Sequence, residues 1–171
     1  MKQLHRRQAG VTLIEMTVIA VLVSVLAALA VPRWLTYIPQ LRTKAAVRDV
    51  VSTLRTARSL AISQKIPYGV FFDVDAGEYV LFCDTDSPGD NKYSVSDSVI
   101  TSKPVGTDVG MGYTTFTDNA VVFDASGEAS MSGTVLFSTG DYTRMFTVEV
   151  LAGTGKVKMV DGTSYIEVTT Q

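Results

Sequence analysis

The apolar residues of this chain are concentrated in one continuous block near its start. Residues 11–31 form an apolar run that contains a single ionisable side chain, Glu15. At about 1.5 Å per residue, a helix over this run is roughly 31 Å long, close to the ~30 Å hydrocarbon core of a bilayer. The pattern therefore predicts a transmembrane helix over residues 11–31.

The next stretch, residues 32–66, is predicted to continue this helix in amphipathic form. Pro32 and Pro39 each favour a kink, and Trp34 and Tyr37 between them are typical of a membrane–water interface. Beyond them, apolar residues recur at the i, i+3, i+4 spacing of one helix face: Val47, Val50, Val51, Leu54, Ala57 and Ala61. Basic residues lie mostly off that face, which indicates a solvated surface or a contact with phosphates or an acidic neighbour: Lys44, Arg48, Arg55 and Arg58.

From residue 67 onward, the apolar residues occur in short β-branched and aromatic runs between turn residues. Such runs predict strands over Tyr68–Val74, Tyr79–Cys83, Val95–Thr101, Ala120–Asp124, Thr134–Ser138, Met145–Leu151, Lys156–Val160 and Tyr165–Thr169. We expect one or two mostly antiparallel sheets, packed on the amphipathic half of the helix. The fold class is therefore α+β, with residues 67–171 forming a β-rich head.

Charge is distributed unevenly along the chain. The first ten residues hold Lys2, Arg6 and Arg7 and no acid, so the positive-inside rule predicts a cytoplasmic N-terminus and a head on the opposite side of the membrane. The net charge is −2, and the remaining residues carry 12 basic against 17 acidic side chains. This balance disfavours a general nucleic-acid binder, which carries a basic surface.

A secretory signal peptide is the alternative interpretation of the N-terminal block. Ala28-Leu29-Ala30 has the small-x-small form of a cleavage site after an apolar run and a basic start. However, the run exceeds the usual length of about 7–15 residues. Glu15 is also unexpected, because an acid costs ~2.5–3.5 kcal/mol at the centre of a membrane helix, and less near its end. A secreted protein released after Ala30 would begin at Val31.

The residues around Glu15 resemble a known processing motif. Gly10-Val11-Thr12-Leu13-Ile14-Glu15 is similar to the cleavage site of type IV prepilins and type II secretion pseudopilins. The resemblance implies a leader peptide over residues 1–10, cleavage by prepilin peptidase between Gly10 and Val11, and N-methylation of Val11. Valine replaces the phenylalanine that is commoner after the cut.

The same resemblance suggests a role for Glu15. Cleavage converts the backbone nitrogen of Val11 from a neutral amide into an ammonium group. In a bundle of parallel helices, the ammonium of one subunit would pair with the Glu15 carboxylate of another, and each would offset the other in a low-dielectric setting. Assembly would then depend on cleavage.

Two stretches of the head narrow the resemblance. Residues 55–61 followed by Pro67-Tyr68-Gly69-Val70 resemble the helix-to-strand passage of the GspH/FimT group of minor pilins and pseudopilins, and residues 122–127 resemble a later strand of that group. The resemblance implies a minor subunit of a type II secretion or type IV pilus filament. Its expected partners are other pilins or pseudopilins, prepilin peptidase and the inner membrane, with the head in the periplasm.

Catalytic and metal-binding motifs are poorly represented. The only histidine, His5, lies in the predicted leader, and the only cysteine, Cys83, is predicted to be a buried strand residue, so no enzyme and no cofactor are expected. Asp84, Asp86 and Asp90 form a weak Ca²⁺ candidate, because alternating carboxylates in a glycine-containing loop offer oxygen ligands. A solvated turn is the favoured interpretation.

Gly155-Lys156-Val157-Lys158 is a candidate DNA contact. Some FimT-like minor pilins that capture DNA resemble it, with arginines where this chain has lysines. Lys156 and Lys158 face the same side of a strand and are placed to meet phosphates. A DNA-binding minor pilin for DNA uptake is therefore an alternative function, although the acidic balance of the chain favours an ordinary exposed strand face.

Overall fold

The structure, a computed structural model, describes residues 11–85 and 90–162, without the side chains of residues 30–33, 35 and 36. The predicted leader over residues 1–10, Asp86 and the predicted strand Tyr165–Thr169 lie outside the described residues. The chain divides into two compact units, Met1–Ile38 and Pro39–Gln171.

One helix, α1, extends over Leu13–Gln64, as the two consecutive apolar patterns predict. It continues through Pro32 and Pro39, so neither proline interrupts it. At its C-terminal end, Lys65 adopts a left-handed conformation (φ 60°) and donates its N–H to the Ala61 carbonyl oxygen at 3.0 Å. This closing bond satisfies one of the carbonyl groups that a helix end leaves free.

In the first unit, residues 11–29 are all exposed, most of them apolar. Val21, Leu22 and Val23, which are consecutive and therefore point in different directions around the helix, are each more than half exposed. Within the described residues, no helix combines the length and the apolar character that crossing a bilayer requires.

In the second unit, the predicted apolar face of α1 is confirmed. Its members are all buried: Val47, Val50, Val51, Leu54, Ala57 and Ala61. They share one core with buried side chains of the strands, such as Phe72, Phe123 and Phe137. The helix face therefore forms part of the head's core, which is the packing expected from its i, i+3, i+4 spacing.

The described strands of the head form two four-stranded sheets. Their bounds are β1 (Tyr68–Asp73), β2 (Glu78–Cys83), β3 (Ser98–Pro104), β4 (Val109–Thr114), β5 (Ala120–Phe123), β6 (Gly133–Thr139), β7 (Met145–Leu151) and β8 (Lys156–Asp161). The strand orders are β3-β2-β1-β5 and β4-β6-β7-β8, and all neighbours are antiparallel. A short 3-10 turn, Thr117–Asn119, precedes β5. The antiparallel head predicted from the sequence is confirmed, in its two-sheet form.

One predicted strand was misplaced, and one strand was not predicted. The strand predicted over Val95–Thr101 begins instead at Ser98, and Val95 is fully exposed outside it. Strand β4 was not predicted. Its sequence contains Gly110 and Gly112, which break the apolar alternation expected of a strand.

Candidate functional site

The start of α1 is organised by Thr12. Its carbonyl oxygen accepts the N–H groups of Glu15 at 3.1 Å and Met16 at 3.2 Å, and its hydroxyl oxygen lies 3.4 Å from the same Glu15 nitrogen. Threonine at the position before the helix, followed by glutamate three residues later, is the residue pattern of a capping box. Thr12 therefore holds the first helical turn in which Glu15 lies.

Glu15 occupies the first turn of α1 and is exposed, as are Val11, Leu13 and Ile14 around it. The partial positive charge at a helix N-terminus stabilises a carboxylate there. The structure thus presents one acid on an otherwise apolar, uncovered surface. Thr12 was missed by the sequence reasoning, although Thr12-Leu13-Ile14-Glu15 carries the signal that would have identified it.

Lys156 and Lys158 lie on β8 with exposed side chains, and the side chain of Val157 between them is buried. In the β7–β8 register, Glu149 stands directly opposite Lys158, whereas Leu151 stands opposite Lys156. The two lysines share a face, as predicted, but an acid adjoins one of them. The positive charge along this strand is therefore partly offset.

The strand β8 ends on a further acid. Asp161 forms ion pairs with Lys44 at 3.7 Å and with Arg144 at 3.6 Å. Lys44, the first residue of the basic series on α1, therefore contacts an acidic neighbour within this chain.

The two calcium candidates that the structure describes, Asp84 and Asp90, differ in burial. Asp84 follows β2 directly and is 1% exposed, and its backbone N–H donates to the Pro67 carbonyl oxygen at 3.1 Å. Asp90 is exposed. Within residues 11–85 and 90–162, no group of three or more His, Cys, Asp and Glu side chains is arranged to hold a metal ion.

Cys83 is buried at the end of β2, as predicted. Burial raises the pKa of its thiol, and the charges of Asp84 and Asp97 raise that pKa further. A raised pKa keeps the sulfur in its thiol form, which is a poor nucleophile. The side chain therefore acts as a small core residue.

A polar group joins α1 to two strands of the first sheet. The buried Tyr79 hydroxyl on β2 donates to Asp49 Oδ2 on α1 at 2.5 Å, and Lys103 Nζ on β3 lies 3.2 Å from the same oxygen. The bond from Tyr79 lowers the pKa of Asp49, and Lys103 lowers it further against the opposing effect of burial. Burial raises the pKa of Tyr79, and the adjacent Asp49 charge adds to that effect. These contacts stabilise the attachment of the helix to the sheet.

Comparison with protein families gives two matches. The model of the type II transport protein GspH family matches residues 46–154, which cover the second half of α1 and most of the head. The model of the prokaryotic N-terminal methylation motif matches residues 5–31. A comparison with curated protein sequences finds no match.

Solved structures support the fold. The minor pseudopilin EpsH from the type II secretion system of Vibrio cholerae is similar with a TM-score of 0.54 and 13% identity, covering 70% of this chain and 97% of that one. The type IV minor pilin FimU of Pseudomonas aeruginosa PAO1 is similar with a TM-score of 0.56 and 13% identity, covering 71% of this chain and 90% of that one. At these identities, the two structures establish a common pilin-like architecture.

The GspH family model covers well over half of the chain, and the methylation motif covers its start. Together they imply a membrane-anchored pilin with a periplasmic head that assembles with other pilins or pseudopilins in a filament. The family is a structural one. The chain belongs to the type II transport protein GspH family and is a minor pseudopilin or minor pilin subunit.

Proposed function

We propose that the chain is made as an inner-membrane precursor with a cytoplasmic N-terminus and is processed by prepilin peptidase. The peptidase cleaves between Gly10 and Val11, and Val11 is then N-methylated. The apolar helix of the mature subunit, residues 11–31, then moves out of the bilayer and packs against the helices of other subunits. The subunit thereby enters the filament of a type II secretion system or a type IV pilus. The subunit functions by contacting other subunits, and this function requires no catalysis.

The observation that carries this proposal is the exposed carboxylate of Glu15 in the first turn of α1, inside the matched methylation motif. An acid in a membrane helix costs ~2.5–3.5 kcal/mol at the centre and less near an end. The helix N-terminus offsets part of that cost, typically about 0.3–1 kcal/mol. A positively charged partner offsets more, and cleavage creates one at Val11 of a neighbouring subunit. Processing and assembly are thereby coupled.

A crosslinking experiment tests the role of Glu15. A photo-crosslinking residue replaces Leu22, which is exposed on α1, and reports contact with neighbouring subunits in the assembled filament. Glu15→Gln removes the charge and keeps the shape, so the crosslink yield is expected to fall at least about tenfold, the equivalent of ~1.4 kcal/mol. Cleavage after Gly10 is expected to continue.

Ser24→Ala is the matched control, because it also removes a polar group from this helix. The Ser24 hydroxyl donates to the Ala20 carbonyl oxygen of the same helix at 2.7 Å. The crosslink yield of this variant should match that of the unsubstituted chain. A cleaved Glu15→Gln subunit that crosslinks at the unsubstituted yield would contradict the ion-pair proposal.

DNA capture through Lys156 and Lys158 is the second candidate function. Their shared exposed face favours it, whereas Glu149 opposite Lys158 weakens it. A salt-dependent mobility shift by the full-length chain in detergent, lost in the Lys156→Ala, Lys158→Ala double variant, would support DNA capture. Absence of any shift at low salt would exclude it.

A further inference from the structure

A groove of about 430 Å³ lies beside Lys156, where α1 faces the turn between β7 and β8. It is lined by Arg55, Arg58, Ser59 and Ile62 of the helix and by Gly155, Lys156 and Val157. Every charged residue in this lining is a cation. Two members of the basic series on α1, Arg55 and Arg58, therefore lie close to Lys156 of β8, although they are far apart in the sequence.

Arg58 is held in position by two glycine turns. Its Nε–H donates to the Gly127 carbonyl oxygen at 2.9 Å. Gly127 and Gly155 both have left-handed φ angles, of 85° and 58°, and a Cβ at Gly155 would lie 2.1 Å from that carbonyl oxygen and 2.9 Å from Arg58 Nε. Glycine at position 155 is thus required for the two turns to close on the guanidinium group.

Within residues 11–85 and 90–162, the cations of the groove lack counter-charges. Among the described residues, Arg55, Arg58 and Lys156 form no ion pair. Five other basic residues of the second unit do pair with acids: Arg42, Lys44, Lys92, Lys103 and Arg144. With Nε engaged, the terminal nitrogens of Arg58 also donate to no described acceptor, and a guanidinium offers four further N–H donors there. Three unpaired cations in a chain of net charge −2 create a local positive potential.

The groove also has an apolar component, because Ile62 is partly exposed in it and Val157 forms part of its wall. Arginine binds carboxylates through two parallel hydrogen bonds. A peptide segment that carries acidic side chains beside an apolar one matches both features of the lining.

We infer that this groove docks an acidic, partly apolar segment of a neighbouring subunit in the filament. The inference rests on the proposed function, which places other pilin-type subunits around the head. A nucleic acid fits less well, because its continuous phosphate backbone needs an extended basic stripe. Here the stripe is interrupted along β8 by Glu149 opposite Lys158 and by Asp161.

The test places a photo-crosslinking residue at Ser59, an exposed position in the groove, in the full-length chain within cells that assemble the filament. We expect the crosslinked peptide, identified by mass spectrometry, to come from a neighbouring pilin-type subunit and to contain aspartate or glutamate. The Arg55→Gln, Lys156→Gln double variant should reduce this crosslink at least about fivefold, while the helix crosslink at Leu22 is retained.

Lys158→Gln is the matched control, because Lys158 lies two residues from Lys156 on the same exposed face but outside the groove lining. It should leave the Ser59 crosslink within about twofold of the unsubstituted yield. Equal losses in the Arg55→Gln, Lys156→Gln double variant and in Lys158→Gln, or a Ser59 crosslink to nucleic acid, would overturn the inference in favour of a nucleic-acid surface.

Failure of the inference and failure of the proposed function give different results. A Leu22 crosslink without any Ser59 crosslink to an acidic segment would refute the groove and leave filament assembly intact. Loss of both crosslinks in the unsubstituted chain would refute the proposed function itself.

Discussion

Replacing Tyr79 by phenylalanine isolates one polar contact between α1 and the first sheet. The ring is 1% exposed, so phenylalanine keeps its packing, and only the hydroxyl that donates to Asp49 at 2.5 Å is removed. Asp49 then retains Lys103 at 3.2 Å as its partner. The substitution therefore tests one hydrogen bond to a charged acceptor.

The size of the effect follows from the position of the two groups. A hydrogen bond to a charged group contributes ~1.5–3 kcal/mol when it is shielded from water. The Asp49 side chain is 50% exposed, and solvent screening reduces the contribution of such a group. We expect Tyr79→Phe to lower the free energy of unfolding by about 1–2 kcal/mol.

The pH dependence of stability gives the same contact a second readout. The pKa of Asp49 is lowered from 3.8 in the folded chain, chiefly by the Tyr79 hydroxyl. Its stabilising effect is therefore fully present above pH 3.8 and is lost as the pH falls through the lowered pKa. In Tyr79→Phe the folded-state pKa moves back toward 3.8, so less stability is lost on acidification.

Urea unfolding of the full-length chain in detergent, followed by the near-ultraviolet circular dichroism of the head's tyrosines, measures both effects. Tyr113→Phe is the control, because its ring is about half exposed, and it should leave the unfolding midpoint unchanged. An unchanged midpoint in Tyr79→Phe, with an unchanged loss of stability below pH 3.8, would show that this hydrogen bond does not stabilise the packing of the helix on the sheet.

Two further predictions concern the turns around the groove. Gly155→Ala and Gly153→Ala both place a side chain at a left-handed φ, but only the Cβ at 155 meets the Gly127 carbonyl oxygen, at 2.1 Å. Overpacking of this kind costs about 1–3 kcal/mol, so Gly155→Ala should unfold at a lower urea concentration than Gly153→Ala, and equal midpoints would contradict the close approach. The pKa of Asp124 is lowered, mainly by the Ser126 hydroxyl at 2.6 Å. Asp124→Asn should therefore reduce the loss of stability as the pH falls below 3.8, and an acid-unfolding curve that retains its full steepness would contradict this.

The helix and most strands could be predicted because their signals are local. The buried face of α1 from Val47 to Ala61 follows directly from its i, i+3, i+4 spacing. Strand β4 could not be predicted, because its glycines are explained by close contacts with strand β6, which the sequence alone does not reveal. A Cβ at Gly110 would lie 2.8 Å from Ser138 Oγ, and one at Gly112 would lie 3.3 Å from Leu136 Cδ2. In the sequence alone, such glycines are typical of a turn.

The candidate sites also differ in whether their residues are contiguous in the sequence. The methylation motif and Glu15 are contiguous in the sequence, so the residue pattern and the chemistry of the carboxylate together suffice to predict this site. The groove depends on residues from α1, from Gly127 and from β8, and no local pattern places Arg58 beside Lys156. Likewise, only the strand register reveals Glu149 opposite Lys158.

The position of the mature N-terminus is the most direct test of processing by prepilin peptidase. The chain is expressed with prepilin peptidase, and intact mass and terminal peptides are measured by mass spectrometry, with Gly10→Val as a variant that the peptidase should not cleave. We expect a chain that begins at N-methylated Val11, and a longer, unmethylated chain for the variant. A chain that begins at Val31, after a cut following Ala30, or one that retains Met1 in the presence of active peptidase, would contradict it.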